Sequence, residues 1–125
     1  MIDYLKNLIG LEIKNVNEGI VNYYAIKKDR STPDQESKLL ISIILFFDND
    51  YRLTIYNIFE IVNFKGKIFK ELIGLKVIDT FEDENNAKLF LDNGATIIVD
   101  LSSDGYIGPE AMLLLGPNGL GIVYD

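Results

Sequence analysis

Nineteen carboxylates, and neither histidine nor cysteine, set the chemistry open to this 125-residue chain. Zinc sites of the Cys/His kind, Ser-His-Asp triads, cysteine nucleophiles and histidine general bases are all excluded. What remains is chemistry by carboxylate, Lys, Tyr or Ser. The first group of interest is Asp79, Glu82, Asp83 and Glu84, in which three acids are consecutive. A loop of adjacent carboxylates suits a basic ligand or a basic protein surface. It lacks the alternating spacing of an EF-hand calcium loop, so no metal and no cofactor is expected. The plainer reading is a solvated turn.

The second group lies in the segment 100–111, where Asp100, Asp104 and Glu110 surround Tyr106 among glycines and a proline. Paired carboxylates can perform glycoside-type acid/base work. That work needs a cleft and one carboxyl of raised pKa, and the chain has no tryptophan to act as a sugar platform. No catalytic residue is therefore assigned. A structural turn and a binding loop are the competing readings, and of the seven tyrosines Tyr106 is the one expected to make a contact. A third segment, Gly116-Pro117-Asn118-Gly119-Leu120-Gly121, resembles a phosphate loop only in its glycines. It has no Gly-Lys-Ser/Thr ending and no following helix, so it reads as a hairpin turn.

The charge is unevenly placed. Residues 1–70 hold 9 acids and 10 bases, whereas residues 71–125 hold 10 acids and 2 bases, so the second part carries all of the net −7. Such a surface repels phosphate backbones and attracts basic partners. Nucleic-acid binding is thus not expected, although net charge also serves solubility alone.

These residues must be positioned by strands. The motif Leu8-Ile9-Gly10-Leu11-Glu12-Ile13 returns as Leu72-Ile73-Gly74-Leu75-Lys76-Val77, and Leu45-Phe46-Phe47-Asp48-Asn49-Asp50 as Leu89-Phe90-Leu91-Asp92-Asn93-Gly94. The order is the same in both halves, which predicts two diverged copies of one β motif, at about 8–60 and 72–115 of a single domain spanning 1–125. Asp92-Asn93-Gly94 between apolar runs is the strongest hairpin signal, with the positive φ values of a tight turn. Asp48-Asn49-Asp50 should turn the equivalent hairpin, and Pro117-Asn118-Gly119 a last one. Nine or so strands are expected, at 12–16, 20–26, 39–47, 76–81, 87–91, 95–99, 111–115 and 120–124 and, where Leu53 and Ile55 take the places of Ile97 and Val99, after the 48–50 turn, with short helices near 2–8 and 66–73. The class is therefore mainly β (β-rich α+β at most), in a barrel- or sandwich-like arrangement. The run Leu39–Phe47 is apolar on both faces, so it should be central and covered on both sides. Across the second hairpin the face with Lys88, Thr96 and Asp100 should be wet. Segment 27–38 reads as an exposed loop.

No apolar run approaches the roughly 20 residues of a membrane span. The N-terminus has no basic segment followed by an apolar one, so a cytoplasmic protein is expected.

The segment 104–112, taken with the Leu91-Asp92-Asn93-Gly94 hairpin, resembles small bacterial immunity proteins of contact-dependent growth inhibition and related polymorphic toxin systems. The resemblance covers residues 72–124. It implies a cytoplasmic, non-enzymatic antidote, monomeric or weakly dimeric, that binds one cognate toxin domain, often a basic nuclease. Asp79, Glu82, Asp83, Glu84, Asp100, Asp104, Tyr106 and Glu110 are the candidate contacts, chosen from charge and loop character. Two other readings stay open: a small-ligand-binding or carboxylate-dependent enzymatic β domain, and an assembly module that pairs through its apolar strand.

Overall fold

The computed structural model describes residues 4–22, 39–102 and 110–124, the side chains of 20–22 and 39–41 aside. Among the described residues nine strands run as β1 (Ile13–Asn22), β2 (Leu39–Phe47), β3 (Arg52–Ile55), β4 (Phe59–Val62), β5 (Val77–Glu82), β6 (Asn86–Leu91), β7 (Thr96–Asp100), β8 (Met112–Leu115) and β9 (Gly121–Tyr124). They form two antiparallel sheets, one ordered β1-β2-β3-β8-β9 and the other β4-β7-β6-β5. The molecule is mainly β, as the turn spacing predicts, and its sheets stay separate instead of closing into one barrel.

The helical expectation is met only by 3-10 turns. Tyr4–Leu8 buries Leu5 and Leu8, and Phe69–Leu72 buries Leu72. These segments are too short to close successive α-helical hydrogen bonds, and a turn is enough to plug leucines into the core. The core itself joins both sheets: Ile13, Leu45, Leu53 and Ile55 from one, and Val77, Leu89, Leu91 and Ile97 from the other, all at most 2% exposed.

Corresponding residues of the two repeats make corresponding bonds. In β1–β2 the register slips between Ile13 and Asn15, and in β5–β6 between Val77 and Asp79. Each slip is a one-residue bulge, which re-aims the strand so that Val16 and Thr80 return to the buried side. Asp48 N–H donates to the Glu12 carbonyl, and Asp92 N–H to that of Lys76. The Asp48 carboxylate in turn accepts the Glu12 N–H at 3.1 Å, and the Asp92 carboxylate that of Lys76 at 3.3 Å.

The three expected hairpin loops differ in detail. Asn49 and Asp50 both have positive φ (59° and 64°), as do Asn118 and Gly119 (60° and 78°); this is the mirror-image turn whose twist suits a hairpin. The Asn-Gly pair at 93–94 departs from expectation. Only Gly94 is left-handed (φ 91°), the loop is the three residues 92–94, and Leu91 N–H bonds to the Ala95 carbonyl. The Asn93 side chain accepts the Ala95 N–H at 2.9 Å, which holds Asn93 out of the left-handed region.

Two further expectations are corrected. Strand β2 does lie between β1 and β3, but among its described side chains Ile43, Leu45 and Phe47 are buried, while Ile44 and Phe46 are half-buried. Its second face is therefore partly covered, with Arg52 set over the Phe46 ring at 6.0 Å. The face expected to be wet is drier than that: Thr96 is buried, and Lys88 and Asp100 are half-buried. Lys88 lies over the Phe81 ring at 5.4 Å, its apolar stem covering the sheet. The part of the expected strand at 23–26 and the loop 27–38 fall outside the described residues.

Candidate functional site

Register decides which acids share a face, because side chains directly opposite one another in a sheet point the same way. In the four-stranded sheet Ala87, Leu89, Ile97 and Val99 point into the core. Their partners across the ladders follow them inward, namely Phe59, Ile61, Thr80 and Glu82. The outer face then carries Asp79 and Phe81 from β5, Asn86, Lys88 and Phe90 from β6, Thr96, Ile98 and Asp100 from β7, and Glu60 and Val62 from β4. Its two central strands pair Lys88 with Ile98, Phe90 with Thr96 and Asn86 with Asp100, and the edge strands add Phe81 and Asp79 on one side and Glu60 and Val62 on the other.

The acids expected to act as one cluster are thereby divided. Asp79 and Asp100 lie on the outer face. Glu82 points to the opposite side, where its carboxylate accepts a hydrogen bond from the Tyr124 hydroxyl at 3.2 Å. Asp83 is committed to its own turn: its carboxylate accepts the N–H groups of Asn85 (2.9 Å) and Asn86 (2.8 Å). Those two amides, that of Asn85 first, hold its carboxyl below the ordinary carboxylate range. Glu84 stands exposed at the tip of the same turn. Asp79 also has a local task, since it accepts the Thr80 N–H at 2.9 Å within the bulge. Glu110 is half-buried beside Ala111. Asp104 and Tyr106 lie outside the described residues.

At the end of this face an open cleft of about 420 Å³ is lined by Ile58, Phe59, Glu60, Asn85, Asn86, Ile98, Asp100 and Ser102. Asp100 forms one wall and accepts both the N–H (2.8 Å) and the hydroxyl (2.6 Å) of Ser102. Asn86 stands opposite Asp100 in the β6–β7 ladder. Behind the cleft, fully buried Asn57 donates its side-chain amide to the Asp100 carbonyl at 2.6 Å. Among the described residues no three carboxylates gather as they would around a metal ion, so the acids border the cleft and do not meet at one point.

Ile58, Glu60, Asn85, Asn86 and Asn57 are not among the residues that the sequence pattern marks out. The signal for two of them is the pair Asn85-Asn86 itself, which closes the acidic turn at 82–84. Glu60 and Ile58 belong to β4 and its approach, a strand not foreseen. Compared with known proteins, the chain matches no family model, no curated protein and no solved structure. No helix among the described residues is long and apolar enough to cross a membrane.

Proposed function

We propose that this chain is a cytoplasmic, non-enzymatic immunity protein that binds and neutralises a cognate toxin domain, most simply a basic nuclease. The observation that carries this reading is the outer face of the four-stranded sheet. Phe81 and Ile58 are each 43% exposed there, Ile98 and Phe90 add half-buried apolar surface beside Lys88, and Glu60, Asp79 and Asp100 lie around them, with Glu84 exposed on the adjoining turn. Exposed apolar side chains bordered by charge are the usual anatomy of a protein interface. The apolar side chains supply affinity by excluding water, and the charges supply steering and selection against wrong partners. Among the described residues Lys88 is the cation that offsets the acids on this face, and it covers Phe81. A phosphate-gripping groove is basic, and this surface complements it while repelling nucleic acid itself.

The test is association with the toxin domain encoded beside this chain, followed in stopped flow from about 50 to 500 mM salt, a range over which screening is strong. The association rate should fall steeply with salt. The double variant Glu60→Lys/Glu84→Lys should slow it about tenfold or more, and Phe81→Ala should mainly speed dissociation. An association rate indifferent both to salt and to the reversal would remove this face from the mechanism.

The cleft favours one alternative, a small polar ligand held by Asn85, Asn86, Asp100 and Ser102. Protection of the Asn85 and Asn86 amide signals in NMR by a cationic small molecule, with no response to the toxin domain, would select that reading.

A further inference from the structure

The two repeats do not each close on themselves. Strand β3 of the first repeat is followed by β4, yet β4 pairs with β7 of the second repeat. Strand β7 is followed in turn by β8, which pairs with β3 of the first repeat. The exchange is reciprocal in register. Val62 faces Thr96 and Phe59 faces Val99, while Leu115 faces Arg52 and Met112 faces Ile55. The first half thus lends β4 to the other's sheet, and the second half lends β8, with β9 beside it.

The junctions around the exchange obey the same two-fold relation. Gly10 N–H donates to the Val77 carbonyl at 2.7 Å and Gly74 N–H to that of Ile13 at 2.8 Å. Likewise Ile13 N–H donates to the Leu75 carbonyl at 2.8 Å and Val77 N–H to that of Leu11 at 3.0 Å. Glu12 and Lys76 face one another at the centre. At the far side, Tyr56 N–H bonds to the Ala111 carbonyl at 2.9 Å, and Asp100 N–H bonds to that of Ile58 at 3.0 Å. The Phe59 and Phe69 rings, 5.7 Å apart, add a contact between β4 and the second repeat. Neither half has a complete sheet without the other, and the chain passes between them once, through residues 63–67. That connection has exposed Asn63, Lys65 and Lys67, with Asn63 in left-handed backbone at φ 56°.

We infer that the surface between the halves is a docking surface for a second copy of this chain, and that two copies form an intertwined dimer by exchanging their second halves across residues 63–67. The contacts between the halves are kept in such a dimer, and only the connection, with Phe64 packed against the core, must change its conformation; this is what makes exchange of an element a low-cost route to dimers. What normally favours the closed form is the effective concentration imposed by a short linker, about millimolar. Refolding at protein concentrations near that value lets a second copy compete.

The experiment uses two full-length variants, Glu12→Cys and Lys76→Cys. Positions 12 and 76 are a non-hydrogen-bonded antiparallel pair, with Cα atoms about 4.5 Å apart, within disulfide reach, and the native chain has no cysteine. In a closed chain of either variant the new thiol faces the native residue of its own chain. In an exchanged dimer of one copy of each, the thiol at position 12 of one chain faces the thiol at position 76 of the other. An equal mixture refolded together at about millimolar concentration and then oxidised should give a covalent dimer, absent when either variant is treated alone and at least tenfold depleted at micromolar concentration. The double variant, refolded dilute, should close the bond within one chain. A mixture that links no better than the separate variants overturns the inference. So does a folded double variant that leaves both thiols free, because the pairing at the centre of the exchange would then be absent.

Discussion

In the first repeat the Asn15 side chain accepts the Val16 amide at 2.9 Å, and in the second the Asp79 side chain accepts the Thr80 amide at the same distance. Asp48 and Asp92 likewise hold the backbone at Glu12 and Lys76. Positions that satisfy buried or bulged backbone are therefore filled by the same kind of residue in both repeats. Positions that face outward are not. Ile44 corresponds to Lys88, Arg52 to Thr96, and Tyr56 to Asp100, so around β2–β3 the outer face has Arg52 where the second repeat has Lys88 and Asp100. The difference teaches that backbone geometry restrains only the residues that complete it, while the outward residues were free to divide the charge of the molecule between two surfaces.

The largest test of this equivalence lies in the core. Leu45 and Leu89 occupy the same place, opposite Leu53 and Ile97, and are at most 2% exposed. Leu45→Ala and Leu89→Ala should each cost about 2–5 kcal/mol, from lost transfer energy plus the cavity left behind, as read from urea unfolding. The two costs should agree within about 1 kcal/mol. A tolerant site in one repeat would show that its sheet packs independently of the other.

A smaller effect separates Val16 from its counterpart Thr80. Thr80 is 8% exposed and its hydroxyl has no hydrogen-bond partner. An unsatisfied buried polar group costs about 1–3 kcal/mol, so Thr80→Val, which copies the first repeat, should raise stability by about 1–2 kcal/mol. A loss of stability would mean that the hydroxyl is satisfied in solution.

Much of this pairing could be seen in the residues before any fold was known. The Leu-Ile-Gly-Leu motif marks both 3-10 plugs because a left-handed glycine must release the chain into the bulged strand; Gly10 and Gly74 have φ 88° and 97°. The strands around Asp92-Asn93-Gly94 follow from alternation. Strand β4 was not legible: Phe59-Glu60-Ile61-Val62 is four residues long and has no turn signal before it. Without it the exchange between repeats, and the place of Ile58 and Glu60 in the site, could not be foreseen. The acidic run at 82–84 was visible as composition, but adjacent residues on a strand and turn face different ways, and only the register shows Glu82 directed away from Asp79 and Asp100.

The turn at 48–50 offers a still smaller test. Its φ pattern is that of Asn118-Gly119, but Asp50 occupies the place of the glycine at φ 64°. Left-handed backbone costs a non-glycine residue about 1 kcal/mol, less for Asp. Asp50→Gly should therefore stabilise by about 0.5 kcal/mol and Gly119→Ala should destabilise by about 1 kcal/mol, both read from urea midpoints. Two shifts of the same sign would show that the two loops are held differently.

The last contrast is in pH response, where the turn after β5 has a titrating group committed to its backbone. The amides of Asn85 and Asn86 hold the Asp83 carboxyl below the ordinary carboxylate range. A depressed folded pKa means that its contribution is complete above the unfolded value and is lost as pH falls through the folded value. Asp83→Asn keeps an acceptor oxygen but does not titrate. The stability difference between the parent and Asp83→Asn should thus be constant from about pH 7 to 5, then shrink as pH is lowered toward about 2. Because the group is exposed, the change is small and is best read as a shift in urea midpoint measured on both proteins at each pH. A difference that stays level throughout would mean the turn is held by the Asp83 N–H bond to the Asn86 carbonyl and not by its carboxylate.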